Sequence, residues 1–177
     1  MNEFYVILSR SNTTVALIVR TFTGKFYNHA SIGLSPKLNK FHSFGRKNPK
    51  LLLPAGYITE GVNDGYFGVK PNTQILVLRG YLPDEEFRLL KEHMEEFEED
   101  KRSFRYNILG LPVAYLGIPW HREKHYTCSG FVAYLFRGIL DFEKDYSLVQ
   151  PEDFYKFDFE KIYEGTAGDY DHEKLSI

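Results

Sequence analysis

Hydrophobic and polar positions change period several times along this chain, and each period predicts a different element. Short apolar runs at residues 4–8 and 74–79 predict strands, and the second run, apolar almost throughout, is typical of a strand covered on both faces. Residues 27–34 and 38–44 predict two more strands joined by a short turn, and residues 159–163 predict a closing strand.

Helical spacing of apolar residues predicts the remaining elements. An acidic turn after Pro83 opens an amphipathic helix, whose stripe is Phe87, Leu90, Met94 and Phe97. Further helices are predicted from Asn12 or Thr13 to about residue 22, over 106–116, from near Cys128, and from 151, with a loop over 46–56. These elements together predict an α+β fold.

Composition narrows the classes of function. The chain has 177 residues, a length that suits one domain over residues 1–177. Its 22 Lys and Arg against 24 Asp and Glu give a formal net charge of −2, which argues against a nucleic-acid partner. We find no secretory signal, and the longest apolar runs, 15–19 and 51–53, are too short to span a bilayer. We therefore expect a cytoplasmic protein without stable membrane insertion.

Cysteine usage excludes two kinds of site. The chain has one cysteine, Cys128, so an intramolecular disulfide and a zinc site of several thiolates are both excluded. Pro119 and the charged residues after it precede Cys128, and apolar residues at helical spacing follow it, so the thiol is predicted in the first turn of a helix. The amides and dipole there stabilise a thiolate, although a cysteine at this place can equally be a small buried hydrophobe.

A nucleophilic cysteine needs a base, and the six histidines are the candidates. His93 and His172 are expected on the surface, and His121 and His125 lie in a charged loop beside Cys128. The remaining two, His29 and His42, lie on adjacent predicted strands, where one imidazole could take the thiol proton while the second group orients it. Two ordinary sheet histidines fit the same spacing.

Two segments resemble those of a known family. Phe26-Tyr27-Asn28-His29-Ala30-Ser31-Ile32-Gly33-Leu34 is similar to the histidine strand of circularly permuted NlpC-type papain-like hydrolases. These include the YiiX-like bacterial proteins and, more distantly, the lecithin:retinol acyltransferase group. Tyr126-Thr127-Cys128-Ser129-Gly130-Phe131-Val132 resembles the family's cysteine motif, usually Cys-Ser-Glu-Phe-Val. Segments 40–49 and 149–154 resemble further parts of that fold, and the order of all four matches the permuted arrangement.

The resemblance implies a circularly permuted papain-like fold with Cys128 as nucleophile and His29 as general base. It implies His42 as the third group, with Ser43 and Glu60 as alternatives, since a register change of one residue would turn Ser43 inward in place of His42. Gly130 stands where the family usually has Glu.

The function implied is a cysteine hydrolase that cleaves a peptide or isopeptide amide through a thioester and uses no cofactor or metal. Its expected partner is a small peptide or amide, with cell-wall-derived peptides among the candidates. A thiol acyltransferase or esterase on lipid-like substrates is an alternative that would need an exposed apolar patch. A catalytically silent binding module on the same fold is a third possibility.

Overall fold

A computed structural model describes residues 1–10, 26–48, 51 and 53–175 of the chain. The helix predicted from Asn12 or Thr13 to about residue 22 lies outside the described residues. Strands and helices are mixed, with an antiparallel sheet and a few helices packed on it, so the expected α+β class is confirmed.

Six strands form the main sheet, in the order β4-β3-β2-β1-β5-β8, and every neighbouring pair is antiparallel. The bounds are β1 Asn2–Ser9, β2 His29–Gly33, β3 Phe41–Arg46, β4 Ala55–Glu60, β5 Gln74–Leu82 and β8 Glu160–Thr166. Two short strands, β6 Arg105–Tyr106 and β7 His125–Tyr126, pair in parallel beside it. The strands predicted at 4–8, 27–34, 38–44, 74–79 and 159–163 correspond to β1, β2, β3, β5 and β8.

β1 and β5 are buried on both faces of the sheet, as the apolar run of β5 predicted. Phe4, Val6 and Leu8 belong to one core cluster, whereas Tyr5 and Ile7 belong to a second cluster. Successive side chains of a strand point to opposite faces, so the sheet separates two hydrophobic cores. The first core also contains the apolar helix that follows Cys128.

Within the described residues, four α-helices accompany the sheet: α1 Gly65–Val69, α2 Asp84–Glu99, α3 Gly110–Tyr115 and α4 Cys128–Leu135. The predicted amphipathic helix is α2, and Leu90, Met94 and Phe97 of its stripe are buried. His93 is buried as well, and its Nδ1 lies 2.7 Å from the carbonyl oxygen of Leu135, so the surface position expected for it is wrong. This hydrogen bond ties α2 to the end of α4.

Three other predicted elements differ from the structure. The helix expected over 106–116 covers only Gly110–Tyr115, because Pro112 has no N–H and so cannot extend the helical ladder toward Tyr106. Strand β4 was not predicted. It begins inside the expected 46–56 loop, where Pro54 and Gly56 gave the sequence the pattern of a loop and not of a strand. The helix expected from 151 is a 3-10 helix, Pro151–Lys156. Among the described helices, none has the length and apolar composition needed to cross a bilayer.

Candidate active site

Cys128 occupies the first turn of α4, as its flanking sequence predicted. Thr127 is the N-cap, and its side-chain oxygen accepts a hydrogen bond from the backbone N–H of Gly130 at 3.1 Å. Phe131, Val132 and Leu135 anchor the helix in the first core. The thiol is therefore held at a helix N-terminus, and only 4% of the residue is exposed.

His29 is the first residue of β2, and it reaches the thiol because α4 packs on β2 and β3. The imidazole of His29 lies close enough to the thiol of Cys128 for each group to shift the pKa of the other through charge and hydrogen bonding. The structure thus brings together two residues that lie far apart in the sequence. Gly45 lies near the ring: a Cβ there would stand 3.7 Å from Cε1 of His29, an ordinary contact distance, but only 2.8 Å from Cδ1 of Ile58.

The second ring nitrogen of His29 is engaged by Ser43. The backbone pairing of β2 with β3 covers only Ile32 with His42 and Gly33 with Phe41. Beyond that point, the hydroxyl of Ser43 donates to the carbonyl oxygen of Ala30 at 2.8 Å, and its oxygen lies 3.0 Å from Nε2 of His29. A hydroxyl has one proton to donate, so Ser43 accepts from an Nε2–H. Nδ1 is then the ring nitrogen whose lone pair is available to the thiol.

The electrostatics of the site favour a thiolate–imidazolium pair. Burial raises the pKa of Cys128, but the charge and hydrogen bond of His29, with further hydrogen bonds from the Ala30 backbone N–H and the Tyr106 hydroxyl, lower it below its usual value. Burial lowers the pKa of His29, but the neighbouring thiolate, its hydrogen bond and the more distant charge of Glu60 raise it overall. Each partner therefore stabilises the charged form of the other.

Tyr106 is a site residue whose role the sequence did not reveal. Its strand, β6, pairs with β7 immediately before Cys128, and this pairing places its hydroxyl 3.8 Å from Sγ of Cys128. The backbone N–H of Cys128 acts on this hydroxyl as well, and its effect is to lower the pKa of Tyr106. Burial raises the pKa of Tyr106 well above its usual value, so the phenol keeps its proton and remains a donor. No sequence motif links Tyr106 to the cysteine, because the two residues are brought together by the β6–β7 pairing.

His42 is not part of this cluster, and the expectation that it orients His29 is wrong in its geometry. Its neighbour Ser43 points to His29, and alternation along β3 turns His42 to the opposite face of the sheet. There, Nδ1 of His42 lies 2.6 Å from the hydroxyl of Tyr57 and 3.7 Å from a carboxylate oxygen of Glu98. Burial lowers the pKa of His42 to about 4, so its imidazole is neutral at physiological pH.

Glu60, the other alternative, lies on the same face of the sheet as Ser43. The register of β3 with β4 pairs Phe41 with Glu60 and Ser43 with Ile58. The carboxylate of Glu60 accepts the backbone N–H of Tyr66 at 2.8 Å, and burial raises its pKa. Its effect on His29 is one of charge, whereas Ser43 makes the direct contact.

Close packing around the first turn of α4 explains why position 130 is a glycine. A Cβ at this position would lie 2.7 Å from Oγ1 of Thr127 and 3.0 Å from the carbonyl oxygen of Tyr146. The usual family glutamate would therefore displace the cap of α4 or the segment around Tyr146. Glycine is the residue that this close approach allows.

A cleft of about 420 Å³ opens beside the thiol of Cys128. Its lining comes from α3 and the residue after it, from the segment 147–152, and from residues around the site, among them Tyr27, Tyr106 and Thr127. Its lining is mainly apolar, and the remaining wall residues are Asn28, Leu111, Pro112, Ala114, Tyr115, Leu116, Ser129, Ser147, Leu148, Val149, Gln150, Pro151 and Glu152.

The two loop histidines beside Cys128 in the sequence lie away from it. Nε2 of His121 is ion-paired with Asp145 at 2.8 Å, and the ring stacks on Tyr146. Nδ1 of His125 bonds to the backbone carbonyl of Glu123. Within the ranges that the structure describes, no three His, Cys, Asp or Glu side chains are arranged to hold a metal ion.

No protein-family model, curated protein or solved structure matches this chain. The cluster of Cys128, His29, Ser43 and Tyr106 and the cleft beside it are the features that indicate a function.

Proposed function

We propose that this protein is a cysteine hydrolase that cleaves an amide, of the peptide or isopeptide kind, through a thioester acyl-enzyme. Cys128 is the nucleophile and His29 the base. The observation that carries the proposal is the electrostatic pairing of the Cys128 thiol with the His29 imidazole at the N-terminus of α4, beside a cleft that Cys128 lines. We also propose that the chain adopts the circularly permuted papain-like fold that its sequence resembles.

In the proposed reaction, Nδ1 of His29 takes the proton of the thiol, and Sγ of Cys128 attacks the carbonyl carbon of the substrate. The oxyanion forms near the backbone N–H of Cys128 and the hydroxyl of Tyr106, which are both donors. The imidazolium of His29 then protonates the leaving nitrogen as the C–N bond breaks. Water, deprotonated by His29, hydrolyses the thioester and restores the thiol.

Ser43 is the positioning residue in this scheme. By accepting the Nε2 proton, its hydroxyl holds His29 in the tautomer whose Nδ1 faces the thiol. His42, on the opposite face of the sheet, takes no part.

A second candidate is hydrolysis or transfer of the acyl group of a lipid-like ester or amide by the same residues. The observation that favours it is the mainly apolar lining of the cleft next to Cys128. A peptide-specific site would instead be expected to present several polar groups to the substrate backbone.

Trapping the acyl-enzyme tests the proposal. Incubation with a panel of activated peptide anilides and acyl esters should add the mass of the acyl group to Cys128, observed by intact-protein and peptide mass spectrometry. The variant Cys128→Ala should show no adduct, and Tyr106→Phe should slow acylation by about 100-fold, the usual cost of losing one oxyanion donor. Absence of any adduct across the panel, with the folded wild-type protein, would overturn the proposal.

A further inference from the structure

We infer that His121 is a positioning residue for the substrate of Cys128. Through Asp145, it holds in place the segment 146–149, most of which lines the cleft beside the thiol. Its role lies in the binding of the group that enters the cleft, and not in the reactivity of the thiol. The inference rests on the proposed function only in that the cleft receives the compound that Cys128 attacks.

The segment 146–149 is fixed at one end to the helix that carries the nucleophile. Three of its residues, Ser147, Leu148 and Val149, line the cleft. The buried hydroxyl of Ser129, the residue after Cys128, donates to the carbonyl oxygen of Val149 at 2.6 Å. The position of the segment beside the thiol therefore depends on how its other end is held.

That other end is held by Asp145. Its carboxylate accepts the backbone N–H of Ser147 at 2.8 Å and so caps the short 3-10 helix Tyr146–Leu148. Burial raises the pKa of Asp145, but the hydroxyl of Ser147, the hydrogen bond with His121 and the backbone N–H of Ser147 lower it overall. The carboxylate is therefore an ionised acceptor at neutral pH.

His121 binds this carboxylate from the loop that precedes β7. Its Nε2 lies 2.8 and 2.9 Å from the two oxygens of Asp145. Because an ionised carboxylate can only accept, Nε2 carries a proton and donates it. The ring also stacks on Tyr146, with centroids 4.8 Å apart and planes at 9°. Beside it, the backbone N–H of Trp120 donates to the hydroxyl of Ser147 at 3.3 Å.

The loop that carries His121 is itself tied to α3, which supplies another part of the cleft lining. Gly117 turns the chain after α3 with φ +71°, a conformation that glycine adopts without strain. The N–H of Ile118 then returns to the carbonyl of Val113 at 3.2 Å. The contact between His121 and Asp145 thus completes a circuit of α3, loop, segment and α4 around the cleft.

The position of His121 separates this role from the chemistry of the thiol. Burial, His29, the Ala30 backbone and Tyr106 shift the pKa of Cys128, and His121 is not among these groups. Its side chain is 53% exposed. An ion pair with this exposure contributes little to folding, so the expected effect on binding is modest, about fivefold.

Alkylation of Cys128 by two chloroacetamides of different size tests the inference. In both reactions, Sγ forms a bond to the methylene carbon and chloride leaves. 2-Chloroacetamide is too small to fill the cleft, whereas the ring of N-benzyl-2-chloroacetamide can occupy it. With the benzyl probe, the wild-type rate should saturate, and the half-saturating concentration then reports on binding in the cleft.

Two substitutions of His121 form a matched pair. The amide of His121→Gln reaches the place of Nε2 and can donate to Asp145, whereas the amide of His121→Asn reaches only the place of Nδ1. His121→Asn should raise the half-saturating concentration of the benzyl probe about fivefold. Its maximal rate, and its rate with 2-chloroacetamide, should stay within about twofold of the wild type.

His121→Gln should keep the half-saturating concentration within about twofold of the wild-type value. Lys124→Ala is the second control, because it removes another exposed ion pair near this loop, with Asp100 at 2.7 Å, that does not touch the cleft. This variant should change neither rate nor binding.

Three results would overturn the inference. The first is an equal half-saturating concentration in the wild type and in His121→Asn. The second is an equal increase in both His121 variants, or a similar decrease of the 2-chloroacetamide rate, since His121 would then only stabilise the fold. The third is a wild-type rate that does not saturate, since the cleft would then not bind the ring.

These outcomes are separable from those of the proposed function, because alkylation requires a reactive thiol but no turnover. If Cys128 forms no acyl adduct but the variants behave as described, the hydrolase proposal fails and the role of His121 stands. If the adduct forms but the benzyl probe binds equally to every variant, the hydrolase stands and the role of His121 fails.

Discussion

A single hydroxyl, that of Ser43, determines how His29 can act. Because its proton is given to the carbonyl of Ala30, its oxygen can only accept from Nε2 of His29. The imidazole that results has its basic nitrogen on the thiol side. A serine can therefore serve where a carboxylate or an amide would be expected, provided that its own proton has another acceptor.

Removal of this hydroxyl tests the positioning role. Ser43→Ala should slow alkylation of Cys128 by iodoacetamide at neutral pH by about tenfold, the equivalent of one lost hydrogen bond, and should change the pH profile of the rate. The matched control is Ser31→Ala, which removes a buried hydroxyl that has no hydrogen-bond partner among the described residues. An equal effect of both variants would show that Ser43 only stabilises the fold.

His42 affects the stability of the folded protein and not the proposed reaction. Its pKa in the folded protein is lowered to about 4, below the value of about 6.5 for an exposed imidazole, so between these values the unfolded chain binds more protons. Stability should therefore fall as the pH decreases from 6.5 to 4, by a contribution on the order of 3 kcal/mol at the acid end.

Urea unfolding at a series of pH values measures this contribution. His42→Gln can keep a hydrogen bond to Tyr57 but cannot titrate, so it should lose less stability over the same pH range than the wild type. The rate of Cys128 alkylation at neutral pH should stay within about twofold of the wild-type rate. A large decrease in that rate would show that His42 does contribute to the reactivity of Cys128.

Among the elements, α4 shows how a local sequence builds a reactive position. Thr127 caps the helix, Gly130 lets the cap and the Tyr146 segment approach closely, and the apolar residues that follow fix the helix in the core. The departure from the family motif at Gly130 is thus part of the packing around the first turn.

A double-mutant cycle tests this packing. Thr127→Ala should cost about 1 kcal/mol of unfolding free energy, the usual value of an N-cap, and Gly130→Ala about 1–3 kcal/mol through overpacking. The double variant should lose less unfolding free energy than the sum of the two single losses, because both substitutions break the same hydrogen bond. Strict additivity in urea unfolding would contradict the shared role of the cap.

The strands show where the sequence is informative and where it is not. Alternation in β3 could be predicted, and with it the statement that only one of His42 and Ser43 faces His29. Which of the two does so depends on the register with β2, and this register is set by tertiary packing of Ile32 and Phe44 in the first core. The family resemblance favoured His42 as the group that orients His29, but the register places Ser43 beside His29.

For the molecule as a whole, local sequence patterns were sufficient to predict most strands of the sheet, helix α2 and the start of α4. They missed β4 because Pro54 and Gly56 obscure its start, and they missed the position of Tyr106 because the short β6–β7 pairing is a contact between segments distant in sequence. The cleft beside Cys128 also depends on tertiary structure. The stretch 106–116 was expected to be one helix, whereas only Gly110–Tyr115 is helical and the side chains of Tyr115 and Leu116 are exposed.

The proposed function needs the whole fold, because His29 and Cys128 meet only when α4 packs on β2. The chain has one cysteine, so the rate of iodoacetamide alkylation reports on this thiol alone. The imidazolium of His29 lowers the pKa of Cys128, and the thiolate persists at lower pH than it would in an ordinary thiol, whose pKa is about 8.5.

The most direct test is therefore the pH dependence of Cys128 alkylation in the wild type and in His29→Ala, with the urea-unfolded chain as the reference thiol. The account predicts a wild-type midpoint well below that of the unfolded chain. In His29→Ala the midpoint should rise to or above the reference, since burial without the imidazolium raises the pKa of the thiol, and the rate at neutral pH should fall at least about tenfold. A wild-type profile that matches the unfolded chain and does not change in His29→Ala would contradict it.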